Sequence, residues 1–289
     1  MEQEIMIDFH THPVMIKELV NSDADLDRSI HEVFGFHFPA QPLECFLLEM
    51  DEAGVETAVL LPVDCTTAHA CRIVSNEQVA ELVNKTPRFI GFASVDPNQP
   101  DAPVELERAV HHLGLRGLKL DPSLQRFDLA SQECAYPLYQ ACGELDIPVL
   151  LHCGMSWAPS GLAELAQPLR LEKAIQAFPT VNFILAHFAW PWVQEATMLA
   201  VKYPNVFLDT AILYSGTPKD ALTRVLAGQV GLETVERSLY NKIIFGTNYP
   251  RVDMRRFARG LRGLGLSPTT EKAILSGNAS RILKLMRQP

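Results

Sequence analysis

Ile5-Met6-Ile7-Asp8-Phe9-His10-Thr11-His12 is the stretch from which the rest of the chain is read. It is a short apolar run, which predicts a buried strand, and it closes on two histidines one residue apart. Successive side chains of a strand alternate faces, so His10 and His12 project side by side from its carboxyl end. Two imidazoles on one face of a rigid strand tip make half of a divalent metal site, because each offers a neutral nitrogen ligand. On this stretch alone the other reading, two histidines that cap a strand and bond locally, stays open.

Working outward, residues 13–42 show no clear period and include Asp23-Ala24-Asp25 and Phe34-Gly35-Phe36-His37-Phe38-Pro39. Loops of that length in compact domains are usually functional covers. This one reads as an active-site cover, wet in its charged half and apolar in its aromatic half. From Leu43 the chain alternates helix-like and strand-like segments. Residues 43–53 have helical spacing, stop before Gly54 and lead into an apolar strand at 57–62. Helical material then precedes strands at 88–93, 115–120, 148–152, 181–187, 206–209 and 242–246, and the carboxyl end is helical again. Counting the opening run makes eight strands. Near-continuous apolar strands separated by helices are what a parallel sheet covered by helices requires. An α/β fold, a (β/α)8 barrel (TIM barrel) with a cover segment inserted after its first strand, is therefore expected. The alternative is an open doubly wound sheet, but no glycine-rich phosphate turn follows the first strand.

Composition narrows the functional classes. The 289 residues suffice for one large barrel domain spanning 1–289, and 47% hydrophobic with 20% charged residues describes a globular chain. Net charge is −9, with no long basic run, so nucleic acid is not an expected partner. The acidic start, Met1-Glu2-Gln3-Glu4, carries no cationic signal segment, and every apolar run is well short of a membrane span. A soluble, cytoplasmic protein is expected, as a homodimer. Six scattered cysteines without a CxxC pair read as reduced thiols.

A barrel of this kind builds its site at the carboxyl ends of its strands. Polar groups fall there: His10 and His12, Asp64, Asp96, Lys119 and Asp121, His152, His187, Asp209 and Asn248. His10, His12 and His152 can bind one metal and leave a position for water or substrate, with His187 either a further ligand or a proton carrier. Lys119 and Asp121 share a strand face and are expected to pair. Asp209 is expected to orient a histidine, with service as a carboxylate base the alternative. Trp157, Trp190 and Trp192 follow two strands directly and can wall a pocket for a flat substrate. His31, His37, His69, His111 and His112 are read as structural, with His37 the one that the cover can bring over the site.

Asp-Phe-His-Thr-His at 8–12, Gly-Leu-Lys-Leu-Asp-Pro at 117–122, Val-Leu-Leu-His-Cys-Gly at 149–154, Leu-Ala-His-Phe at 185–188, Phe-Gly-Thr-Asn-Tyr-Pro at 245–250 and Gly-Asn-Ala-Ser-Arg-Ile-Leu at 277–283 follow one another in an order that resembles the amidohydrolase-related (amidohydrolase 2) enzymes. The resemblance implies a metal-dependent (β/α)8 barrel acting on esters, lactones or amides. It also covers relatives that decarboxylate aromatic or dienoic acids or hydrate an alkene. By position His10, His12 and His152 match metal ligands, and His187 matches the histidine that binds metal or activates substrate. At the eighth strand the family usually carries aspartate, whereas this chain has Asn248, whose neutral amide cannot take a proton from metal-bound water. Arg251, three residues on, can clamp a carboxylate.

The expectation is a metal-dependent hydrolase of a small carbonyl substrate, with zinc or manganese as cofactor and His187, Asn248 and Asp209 as catalytic positions. Lys119, Arg251, Trp157 and Trp190 are expected to bind a small, anionic or aromatic substrate. The rival readings are a non-oxidative decarboxylase of an aromatic or unsaturated acid, and a ligand-binding barrel without turnover.

Overall fold

In the computed structural model, which describes residues 5–211 and 216–285, eight parallel strands alternate with helices. They are β1 (Ile7–Thr11), β2 (Thr57–Leu60), β3 (Phe89–Gly91), β4 (Leu118–Leu120), β5 (Val149–Leu151), β6 (Phe183–Leu185), β7 (Val206–Asp209) and β8 (Ile243–Ile244). β1, β2 and β3 pair in that order, and β4 to β8 pair successively in a second run. Parallel bridges join the two runs at Ala93 with Leu118 and at Thr11 with Tyr249. The Lys119 amide donates to the Ala93 carbonyl at 2.7 Å, and the His12 amide donates to the Tyr249 carbonyl at 2.7 Å. These bonds close the sheet, as the sequence rhythm leads one to expect.

Side chains from alternate strand positions fill the inside. Ile7, Phe9, Val59, Ile90, Phe92, Leu150, Ile184, Phe207 and Ile244 form one buried cluster, and Ala279 and Ile282 of the last helix (Asn278–Ile282) pack against it. The opposite strand faces, among them Leu118, Leu120, Val149 and Leu151, join the larger cluster beneath the surrounding helices. Both strand faces are apolar because helices cover one and the barrel interior the other.

β1 departs from this pleat. Asp8 is level with Ala58 and Thr11 with Leu60, so β1 holds one extra residue between those pairs. Such a bulge shifts the phase of alternation and re-aims side chains. Ile7 and Phe9 face the interior core, and beyond the bulge His10 lies with the interior-facing Asp209. The His10 amide, displaced from the ladder, donates to Asp8 Oδ1 at 3.1 Å. Gly246 makes room at the same level, since a Cβ there would lie 2.8 Å from His10 Cβ.

Residues 13–42 are more ordered than their lack of period suggests. A short helix, Ala24–Glu32, starts on Asp23, whose side chain accepts from the amides of Asp25 and Leu26. Leu26 and Ile30 on that helix are buried, and it packs on a hairpin of Val63–Cys65 with Cys71–Ile73. The hairpin's short strands escape a reading tuned to longer apolar runs. All six cysteines are free thiols, and no helix among the described residues is long and apolar enough to cross a membrane.

Candidate metal and substrate site

The strand tips converge on one group of histidines. His10, His187 and Asp209, all buried, each present a ligand atom within 4.8 Å of the others, a group able to hold a metal ion. His10 Nε2 lies 3.2 Å from His12 Nε2, and His187 Nε2 lies 3.0 Å from His152 Nδ1. The structure thus brings together all four histidines expected from sequence. It adds Asp209, expected to orient a histidine, to the set of groups within ligand distance.

The partners of the rings fix their tautomers. A carbonyl or carboxylate oxygen accepts only, so a ring nitrogen facing one carries the proton. His12 Nδ1 faces the Leu61 carbonyl at 2.9 Å, His187 Nδ1 faces the Ala211 carbonyl at 2.7 Å, and His10 Nδ1 faces Asp209 Oδ2 at 2.6 Å. Each ring therefore donates through Nδ1 and turns the lone pair of Nε2 inward. Two such lone pairs 3.2 Å apart, on His10 and His12, repel one another unless a cation lies between them. The spacing suits one: two nitrogens each about 2.1 Å from a common ion are about 3.2 Å apart at an angle near 100°. His152 Nε2 and Asn248 Oδ1 are buried without a hydrogen-bond partner, two further donors of electron pairs at the same strand tips. The residues present fit a divalent ion.

Asp209 is the support of this arrangement. Its Oδ1 accepts from the amides of His187 at 2.7 Å and Ala211 at 3.0 Å, while its Oδ2 holds His10. Asp8 does the corresponding work between β1 and β8, accepting from the His10 amide, the Thr247 amide at 3.0 Å and the Thr247 hydroxyl at 2.5 Å. The sequence signal for this role of Asp8 is a charged residue inside an apolar strand. His187 and Asn248 both sit at φ +60, in the left-handed region. Asparagine tolerates that conformation and histidine rarely adopts it, a strain that accumulates at functional positions.

Burial sets the protonation of the cluster. It drives the pKa of His10, His12 and His187 well below the usual histidine value, and that of His152 down to about 3. The positive charge of Lys119 adds to the effect at all four. The rings are neutral near pH 7, as ligands must be. Burial conversely raises the carboxyl pKa of Asp121 and Asp209.

A cavity opens over the histidines at the strand tips. His12, His152, His187, Asn248, Lys119, Asp121, Arg251 and Trp157 line it, together with Phe34 from the 13–42 segment. Arg251 donates to the carbonyls of Phe34 at 2.5 Å and Gly35 at 3.2 Å, with its guanidinium 4.8 Å from the centre of the Phe34 ring. Burial lowers its pKa to about 10, so it remains a cation at neutral pH.

Two expectations are corrected, those for Trp190 and for the Lys119–Asp121 pair. Trp190 does not line the cavity; it packs on the core, and its carbonyl accepts from the Met155 amide at 2.8 Å. Asp209 orients His10 as expected, with three donors holding its carboxylate behind the histidines and out of the cavity lining. Lys119 forms no ion pair with Asp121, whose Oδ1 instead caps the helix Pro122–Gln125 through the Leu124 amide at 3.1 Å and whose Oδ2 lies 3.7 Å from His152 Nδ1. His37 is exposed and stacks on His31, 5.7 Å between ring centres, away from the cavity lining.

Closed barrel, histidine-tipped strands and a carboxylate that orients them define a metal-binding (β/α)8 enzyme class. The amidohydrolase family profile matches residues 7–285, and the chain belongs to that family. It is 25% identical over 288 residues to gamma-resorcylate decarboxylase of Polaromonas sp. strain JS666, covering 82% of this chain and 86% of the relative. Among solved structures, the uncharacterized TIM-barrel protein Bb4693 of Bordetella bronchiseptica superposes with a TM-score of 0.76 at 24% identity, over 96% of this chain and 98% of its own. A dihydroxybenzoic acid decarboxylase from Polaromonas sp. JS666, with bound manganese and the inhibitor 2-nitroresorcinol, superposes with a TM-score of 0.67 at 22% identity, over 100% of this chain and 98% of its own.

Proposed function

We propose that this chain is a metal-dependent decarboxylase of a small aromatic carboxylic acid. The observation that carries the reading is Asn248. It lines the cavity with a neutral amide at the position where the family resemblance places an aspartate base for water. Hydrolysis through that position is therefore disfavoured, while the groups needed to hold and protonate an acid remain. Two of the three relatives reported above are named decarboxylases, which favours the second of the sequence expectations over the first.

The inward nitrogens of His10 and His12 would hold the ion, with His187 and His152 in reach, and Asp209 fixes the His10 ring. When bound, it supplies positive charge that stabilises the electron-rich substrate as carbon dioxide departs. Manganese is preferred to zinc, because a decarboxylase of this fold contains it. Arg251 takes the substrate carboxylate with the guanidinium N–H groups not used by Phe34 and Gly35. Phe34 and Trp157 flank the ring. As the bond between ring carbon and carboxylate breaks, its electron pair stays on the carbon and takes the proton of Asp121, a cavity-lining carboxyl group whose pKa burial raises. Water then returns a proton to Asp121. Residues 13–42 act as the cover, since Phe34 reaches the cavity and two carbonyls of the segment anchor Arg251. The whole chain works as one catalytic domain.

The test is incubation of the manganese-loaded protein with 2,6-dihydroxybenzoate. The expected result is carbon dioxide equimolar with resorcinol and, in heavy water, one deuterium on the vacated carbon. Hydrolysis of esters or lactones without carbon dioxide release from aromatic acids would restore the hydrolase reading, and tight binding without product would favour a ligand-binding barrel.

A further inference from the structure

The hairpin of Val63–Cys65 with Cys71–Ile73 sets two cysteines face to face. Its antiparallel register places Val63 level with Ile73, Asp64 with Arg72 and Cys65 with Cys71. Directly opposed residues share a face of the ribbon, and neighbours along each strand alternate between the two faces. Asp64 and Arg72 meet on the outer one, where Arg72 Nε donates to Asp64 Oδ2 at 2.9 Å. Val63 and Ile73 are buried on the inner one, against the helix Ala24–Glu32, and Cys65 and Cys71 share that face with them. Opposed residues of an antiparallel pair have Cα atoms about 4.5–5.5 Å apart, inside the span of about 4.4–6.8 Å that a disulfide bridges. None of the other four cysteines, Cys45, Cys134, Cys142 and Cys153, lies in a strand.

The two thiols differ in access. Cys65 is wholly buried, and burial pushes its pKa well up. Cys71 is half-buried; burial raises its pKa too, but the Ser29 hydroxyl and the charge of Arg28, both on the packed helix, work against that rise. An oxidant therefore reaches Cys71 first, with Cys65 beside it to resolve the product. From this juxtaposition we propose that Cys65 and Cys71 form a peroxide-responsive site that closes to a reversible cross-strand disulfide. Cys71 Sγ, as the thiolate, attacks one peroxide oxygen; the O–O bond breaks, leaving a sulfenic acid and one water, which carries off the thiol proton. Cys65 Sγ then attacks the sulfenic sulfur, the S–O bond breaks, and the hydroxyl leaves with the Cys65 proton as a second water. Two thiols give up two electrons, and one peroxide becomes two waters. Because Cys71 is partly exposed, a thiol reductant can reopen the bond. The pair stands beside the cavity's framework: the Asp64 carbonyl accepts from Gln125 Nε2 at 2.8 Å, and Gln125 Oε1 accepts from the amide of cavity-lining Asp121 at 2.7 Å.

Thiol counting on the purified full chain tests the proposal, whatever the cavity binds. The protein is reduced, freed of reductant and exposed to hydrogen peroxide in rising amounts, then denatured and alkylated, and the products are mapped by mass spectrometry. Two of the six thiols are expected to vanish together, with an intact mass lower by two hydrogens, a linkage between Cys65 and Cys71, and full recovery with dithiothreitol. Cys71→Ser is expected to keep Cys65 reduced at the dose that links the native pair. In Cys65→Ala, Cys71 is expected to stop at the sulfenic acid and to be trapped by dimedone. Should Cys65→Ala fail to fold, Cys71→Ser, a change at a half-buried position, carries the test alone. No paired loss of thiols, sulfinic acid at Cys71 while Cys65 stays alkylatable, linkage to any other cysteine, or undiminished oxidation of Cys65 in Cys71→Ser overturns the proposal.

Discussion

Replacing Asp209 by asparagine should remove metal while leaving the barrel folded. The amide oxygen can still accept from the amides of His187 and Ala211, now 2.7 and 3.0 Å from Oδ1. Where Oδ2 now takes the His10 Nδ1 proton at 2.6 Å, however, the variant presents an NH2 group, a donor facing a donor. His10 relieves this by moving its proton to Nε2. That nitrogen then points an N–H at His12 Nε2, 3.2 Å away, and has no lone pair for an ion. Loss of an outer carboxylate of this kind lowers metal affinity about 10- to 100-fold, or roughly 1.4–2.8 kcal/mol. Stability of the metal-free protein should fall by no more than about 1.5–3 kcal/mol, the worth of one hydrogen bond to a charged group. Manganese dissociation constants from competition with a chelator, paired with urea unfolding of the apo forms, measure both quantities. Native metal affinity in Asp209→Asn would refute the tautomer argument, as would an affinity loss matched by general unfolding.

Asn248→Asp should act in the opposite direction. It places a carboxylate where a buried amide oxygen lacks a partner, so manganese affinity is expected to rise at least about tenfold, since added ligand charge tightens ion binding. Affinity for 2,6-dihydroxybenzoate should fall as the cavity loses net positive charge; chelator competition and calorimetry read the two effects. A third expectation concerns pH. His152, with its pKa pushed down to about 3, stays neutral and able to bind metal throughout the range above that value. The other three histidines are depressed in the same direction. Metal should therefore remain bound after dialysis at about pH 5, where ordinary histidines are largely protonated. Release with a midpoint near pH 6.5 would show that the rings titrate as exposed groups.

How much of this was legible in the sequence follows from what each feature depends on. The eight strands were readable because burial on both faces demands continuous apolar runs, and the helices between them because they keep a 3.6-residue period. The histidines at the strand tips were readable for the same reason: in a barrel the carboxyl end of a strand is a fixed place, so position in the chain becomes position in space. The inward aim of His10 and His12 was reached from the sequence by simple alternation, but that rule sets them opposite Ile7 and Phe9. The bulge after Asp8 brings both pairs to the interior. A single inserted residue has no mark in composition or periodicity.

Contacts between distant segments were beyond the sequence's reach. Nothing near Arg251 announces that the carbonyls of Phe34 and Gly35, over two hundred positions away, hold its guanidinium. Nor does the spacing of Lys119 and Asp121 reveal that a helix end claims the carboxylate first. Trp190 and Trp157 look equivalent after their strands, and only packing sends one into the core and the other to the cavity. By itself the sequence determined the barrel, its order of elements and the level at which chemistry sits, because those follow from local periodicity and burial. The tertiary structure alone decided the tautomers and the anchoring of Arg251, because each is set by an atom that the chain brings near only when the barrel closes.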